Sequence, residues 1–143
     1  MKRKETYIFR SPDETAAFAE MLAKGAKPGD CIALTGDLGA GKTLFAKAFA
    51  RKLGITDEIT SPTFTLFEEY EGEIPFYHFD LYRINDEREL DMLFFEEYWE
   101  GTGVSLIEWA DRAGNRIPDR AIFIRLEYVD ETTRRADIEY PAD

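Results

Sequence analysis

A single cysteine, Cys31, and a single histidine, His78, are all that 143 residues supply of the side chains most used for transition metals and imidazole-dependent catalysis. One thiol makes no internal disulfide, which suits a reducing compartment, and Cys31 lies in an apolar run where a small core residue is expected. One imidazole without a cysteine cluster offers no zinc-type ligand set, and no Ser-His-Asp logic is present. Positive charge is short too: 18 Lys and Arg stand against 29 Asp and Glu, a net charge of −11. That balance repels a polyanion at long range and argues against extensive nucleic-acid binding by this chain alone. No apolar stretch approaches the roughly 18 residues of a membrane span, and Met1-Lys-Arg-Lys-Glu5 has no apolar signal region. A cytoplasmic protein without membrane contact is expected.

Apolar material, by contrast, is ample. Hydrophobic residues make up 44% of the chain and aromatics 14%, which excludes a disordered reading. A chain of this length buries roughly 68% of the surface its unfolded form exposes, enough for one real core. A single domain over residues 1–143 is expected, without repeat or linker.

Hydrophobic spacing and turn chemistry place the elements. Thr6 to Phe9 reads as a short strand, and Ser11-Pro-Asp-Glu14 supplies a helix cap, a proline at the first helical position and first-turn acids. Ala17, Phe18, Met21 and Leu22 keep helical spacing until Gly25. Cys31 to Leu34 reads as a buried strand and Lys42 to Leu53 as a helix closed by Gly54. Thr63 to Tyr70 and Ile74 to Tyr82 form a plausible hairpin around Glu71-Gly-Glu73. Asp86 to Trp99 reads as helix with a break near Phe94, Gly103 to Glu108 as a buried strand, and Ile122 to Tyr128 with Arg135 to Tyr140 as a closing hairpin. The sum is an α/β fold with a mixed parallel and antiparallel sheet flanked by helices.

Between the buried strand and its helix stands Gly36-Asp-Leu-Gly-Ala-Gly-Lys-Thr43, a complete G-x-x-x-x-G-K-T phosphate loop in the strand-to-helix context that the motif requires. Residues Gly36, Asp37, Leu38, Gly39, Ala40, Gly41, Lys42, Thr43 and Leu44 are therefore the candidate nucleotide cradle, in a single P-loop NTPase domain. The glycines let backbone N–H groups face phosphate oxygens, Lys42 reaches the β and γ phosphates, and the Thr43 hydroxyl ligates Mg²⁺. Two apolar runs, Phe76 to Asp80 and Val104 to Glu108, end in carboxylates. Either acid suits the Mg²⁺ shell or the orientation of an attacking water, and an acid at a solvated strand end is the bland reading of each. Ser61 and Thr63 form a candidate switch segment. Guanine-specific GTPases carry Asn-Lys-x-Asp, which is absent, so ATP is the expected nucleotide. Arg83, Arg112, Arg134 and Arg135 are candidate phosphate-neutralising groups. The chemistry open at this point is ATP hydrolysis, phosphoryl transfer to a small acceptor by a compact kinase, or ATP-gated interaction without turnover.

Four features in order, Gly36 to Thr43, Ser61-Pro-Thr-Phe64, His78-Phe-Asp-Leu-Tyr-Arg83 and Ile107-Glu-Trp109, resemble the bacterial TsaE family, also called YjeE. The likeness runs along most of the chain, and this ordered set is far more specific than a phosphate loop alone. It implies a cytoplasmic, Mg²⁺-dependent ATPase working with TsaD and TsaB. Those partners transfer threonylcarbamoyl to the adenosine beside the anticodon in tRNAs reading codons that begin with A. TsaE itself does not make the transfer; its hydrolysis resets or activates the assembly, and tRNA is met through the complex. The resemblance makes Thr43 and Glu108 the Mg²⁺ ligands with Asp80 in or beside the shell, and Ser61 and Thr63 the switch-like segment. It puts Trp109 near the nucleotide, and Ser11 or Thr15 with Arg134 or Arg135 around it. Leu44 departs from the second threonine of many relatives, and no chemical role for His78 follows.

Overall fold

The computed structural model describes residues 3–37, 39–56, 59, 67–86, 88–93 and 95–141. Leu38, Ser61 and Thr63 of the expected site lie outside them. The chain runs β1 (Arg3–Phe9), α1 (Pro12–Lys24), β2 (Cys31–Gly36), α2 (Lys42–Lys52), β3 (Phe67–Tyr70) and β4 (Phe76–Asp80). It continues through α3 (Glu89–Leu93), α4 (Phe95–Trp99), β5 (Val104–Glu108), a 3-10 segment (Ala110–Arg116), β6 (Ile122–Tyr128) and β7 (Arg134–Tyr140).

Among the described residues the strands join one seven-stranded sheet in the order β1-β7-β6-β2-β5-β4-β3. The centre is parallel, with β2 between β5 and β6 and β4 outside β5, while β3 and the β6–β7–β1 end pair antiparallel. The mixed sheet expected from the sequence is thus the observed one.

Strand β2 shows why its apolar run is unbroken. Ile32 and Leu34 enter a core under α1 and α2 with Phe18, Phe45, Phe49, Phe76 and Leu106. Cys31 and Ala33 enter the opposite core with Phe79, Leu90, Trp99 and Ile107. Burial on both faces is what a central parallel strand requires. Helix α1 begins where the Ser11 hydroxyl accepts from the Glu14 N–H at 3.3 Å, with Pro12 at the first position.

The Cys31 side chain is 2% exposed, and burial pushes its thiol up to about 12. Reaction with a maleimide at pH 8 is therefore expected only after denaturation, as read by mass spectrometry. Rapid stoichiometric labelling of the folded protein would contradict this packing. Among the described residues no helix is long and apolar enough to cross a membrane.

Candidate nucleotide site

The phosphate loop leaves β2 through a residue that must be glycine. Gly36 has φ 144°, and a Cβ there would stand 2.3 Å from the Leu126 carbonyl oxygen of β6. Gly41 closes the loop at φ 100° and begins α2 without a side-chain cap, Phe45 N–H bonding back to its carbonyl at 3.0 Å. A helix start leaves its first-turn N–H groups outside the helical ladder and carries partial positive charge. The first turn of α1 answers this with Asp13 and Glu14, whereas the first turn of α2 holds no acid. That end of α2 is suited to an anionic ligand.

Lys42 is 6% exposed. Its Nζ donates to the Gly36 and Asp37 carbonyls at 2.5 and 2.8 Å and lies 4.4 Å from the Trp109 ring centroid. Burial pulls its pKa down, and the charges of Glu108, Asp37, Asp80 and Asp111 oppose that pull. Ala40 is fully buried under the loop and its N–H bonds Asp37 O at 3.1 Å.

Strands β4 and β5 run parallel with Asp80 beside Glu108 in register. Two carboxylates far apart in sequence thereby stand together at the carboxyl end of the sheet. With Gly39, Gly41, Lys42, Thr43, Leu44 and Trp109 they line one cavity of about 280 Å³. Asp80 is half-buried, and that burial raises its pKa; the Tyr82 N–H, donating to Oδ1 at 3.0 Å, lowers it, and the neighbouring Glu108 raises it again. Glu108 is 2% exposed, and its Oε2 lies 2.5 Å from His78 Nε2. Sequence reasoning singled out both residues without finding this contact.

Trp109, next in the chain, has φ 57° and ψ 42°, the one non-glycine residue at positive φ among those described. Such a conformation costs on the order of 1–3 kcal/mol and persists only when its surroundings impose it. The Tyr82 ring packs on Trp109 at 4.9 Å, and the Arg112 guanidinium lies 5.9 Å from the same indole.

The remaining described residues of the expected site do not line this cavity. Phe9 pairs with Arg134, Tyr128 with Arg134, and Leu126 with Gly36. Ser11, two residues beyond β1, and Arg134 therefore lie at the same end of the sheet as the start of the phosphate loop. Ser11 caps α1, and Arg134 donates to Asp130 O at 2.6 Å while lying over Tyr128. Thr15 is buried, Arg135 pairs with Asp137, and Arg83 is exposed.

A family-wide sequence model for "Threonylcarbamoyl adenosine biosynthesis protein TsaE" matches residues 9–136. This chain belongs to the TsaE family. The Bacillus subtilis (strain 168) tRNA threonylcarbamoyladenosine biosynthesis protein TsaE is 46% identical over 125 residues, covering 87% of this chain and 78% of the relative. TsaE of Treponema pallidum is 36% identical over 131 residues, covering 92% and 97%. The crystal structure of YdiB from Bacillus subtilis superposes with a TM-score of 0.83 at 38% identity, over 99% of this chain and 88% of that one. TsaE membership connects the chain to tRNA threonylcarbamoyladenosine biosynthesis. The matched span, residues 9–136, contains the phosphate loop, Asp80, Glu108 and Trp109.

Proposed function

We propose that this protein is an Mg²⁺-dependent ATPase that supports threonylcarbamoylation of the anticodon-adjacent adenosine of tRNA by acting on TsaD and TsaB. The observation that carries this is one cavity in which Lys42 and Thr43, at the start of α2, face Asp80 and Glu108, at the ends of β4 and β5. The donor set fits Mg²⁺: one hydroxyl and two carboxylates are all hard oxygen ligands, and Mg²⁺ shared with a triphosphate needs one or two carboxylates rather than a closed cage. Among the described residues no three His, Cys, Asp or Glu side chains form such a cage.

In this reading Thr43 and Glu108 would hold the ion, with Asp80 in or beside its shell. An Mg²⁺ ion held there would supply charge neutralisation to the phosphates. Lys42 adds a point charge to the same oxygens, and the first-turn amides of α2 orient them. Trp109 walls the cavity beside Lys42, which limits water there. Loop residues Asp37 and Ala40 shape the cradle, Leu44 borders it, and Ser11 and Arg134 are assigned to the nucleoside end; Leu38 and Thr63, expected to bind the same nucleotide, lie outside the described residues. The net charge of −11 disfavours independent tRNA binding, so tRNA is met through the partners, in the cytoplasm.

The test is steady-state ATP hydrolysis with Mg²⁺, by the protein alone and with TsaD and TsaB from the same source. Slow turnover alone, rising about tenfold or more with both partners (~1.4 kcal/mol of barrier), is expected. Tight ATP binding with no turnover beside the partners would replace the ATPase by an ATP-gated interaction module.

A further inference from the structure

His78 is the one histidine of the chain, and its place in β4 is costly. It is 0% exposed, on the face of the sheet that packs under α1 and α2, with its ring 6.1 Å from that of Phe76. An apolar side chain would fill such a place without desolvating two ring nitrogens. Among the described residues Nδ1 has no hydrogen-bond partner, so the polar return on this burial is concentrated in the 2.5 Å contact from Nε2 to Glu108 Oε2.

We propose that His78 is a positioning residue for Glu108, fixing the carboxylate so that one oxygen is held in the protein and the other is presented to the phosphate cavity. The proposal rests on the ATPase reading above. The strand register explains the reach. Asp80 stands beside Glu108 and His78 beside Leu106, so the imidazole, two residues earlier on the same face of β4, crosses diagonally to the Glu108 side chain. An ionised carboxylate only accepts, so Nε2 carries the donated hydrogen. His78 does not line the cavity, whereas Glu108 does. It stands behind the acid and acts through it.

The terminal torsion of a glutamate is broad and roughly two-fold, so an unheld carboxylate samples orientations that swap its oxygens. A hydrogen bond from a buried donor removes that freedom. Partners of this kind, one layer behind a ligating or reacting group, typically govern 10–100-fold in affinity or activity.

Three variants separate positioning from packing. His78→Gln keeps an N–H near the place of Nε2, His78→Asn keeps an amide but draws it back, and His78→Met keeps bulk without a donor. Turnover is expected to fall about 10–100-fold in the Met and Asn variants, with ATP affinity changing less than about threefold, and to recover largely in the Gln variant. If His78→Met does not fold, the Gln and Asn pair carries the comparison. A second readout needs no nucleotide: the Tm losses of His78→Asn, which draws the donor away, and Glu108→Ala, singly and together, are expected to be non-additive because the two groups share one bond. Wild-type turnover in a folded Met or Asn variant, equal impairment of Gln and Asn, or additive Tm losses would overturn the positioning role. Failure of the wild-type protein to hydrolyse ATP would instead remove the ATPase reading, and the Tm cycle would still decide whether His78 and Glu108 act as a pair.

Discussion

Replacing Lys42 by alanine is expected to lower ATP hydrolysis by about 100-fold or more and to weaken ATP binding severely, while circular dichroism and cooperative unfolding stay intact. Among the described side chains lining the cavity the ammonium is the one cation, and it shares that space with Asp80 and Glu108. Remove it and a triphosphate meets two carboxylates with no protein cation between them. At contact distance a unit-charge repulsion amounts to about 4 kcal/mol at an effective dielectric of 20, ample to remove binding. The fold is expected to survive because α2 is anchored by Phe45, Ala46 and Phe49, which keep their burial, and not by Lys42. The released Gly36 and Asp37 carbonyls can accept from water instead. Hydrolysis at the wild-type rate by a folded Lys42→Ala protein, measured as phosphate release, would refute this site.

The second large effect is expected at Glu108. Glu108→Gln removes charge while keeping shape, and the amide oxygen can still accept from His78, so the architecture of β4 and β5 is preserved. Turnover is expected to drop by roughly 100-fold to 10,000-fold, the range for a group that acts on the proton or charge developing in the transition state. ATP affinity is expected to change only a few-fold, because loss of one ligating charge is offset by relief of its repulsion with the phosphates. Separate measurement of ATP dissociation and single-turnover hydrolysis distinguishes the two. Equal loss in both would confine Glu108 to holding the metal and shift the water-orienting role to Asp80.

These two residues also show what could be read before folding was known. Lys42 was legible because its chemistry is local: strand, glycine-rich turn and helix follow within a dozen residues, and each supports the others. Glu108 and Asp80 were legible one at a time, as acids ending apolar runs. Their adjacency was not, since β5 follows β4 in the chain through α3 and α4 and is then inserted between β4 and β2, a crossover that spacing does not encode. The His78 contact is one step further removed, because it depends on the β4–β5 register as well as on the strand order.

Local errors had local causes. Strand β1 was expected from Thr6 but starts at Arg3, because Arg3, Lys4 and Glu5 carry the charges of an edge strand and mask its pattern; pairing with β7 and the Arg3 guanidinium 4.2 Å from the Tyr140 ring hold them in line. The strand after Pro75 is shorter than Ile74 to Tyr82, ending where Asp80 accepts from Tyr82 N–H and turns the chain. The helix expected from Asp86 to Trp99 with a break near Phe94 is found as two short helices, Glu89–Leu93 and Phe95–Trp99, so that only its start differs; position 94 lies outside the described residues. The 3-10 segment Ala110–Arg116 was not among the expected elements; Asp111, Gly114 and Asn115 are turn-favouring residues that carry no helical pattern.

The left-handed backbone at Trp109 has a consequence for how much chemistry so short a chain can concentrate. Consecutive residues of an extended strand point to opposite sides, so a reactive residue's sequence neighbour is normally turned away from the reaction. One residue at φ 57° breaks that parity: Glu108 and Trp109 both reach the same cavity, a carboxylate and an aromatic wall from adjacent positions. The conformational strain thus substitutes for a second loop, and a glycine at 109 would relieve the strain at the cost of the very surface the bend was made to deliver.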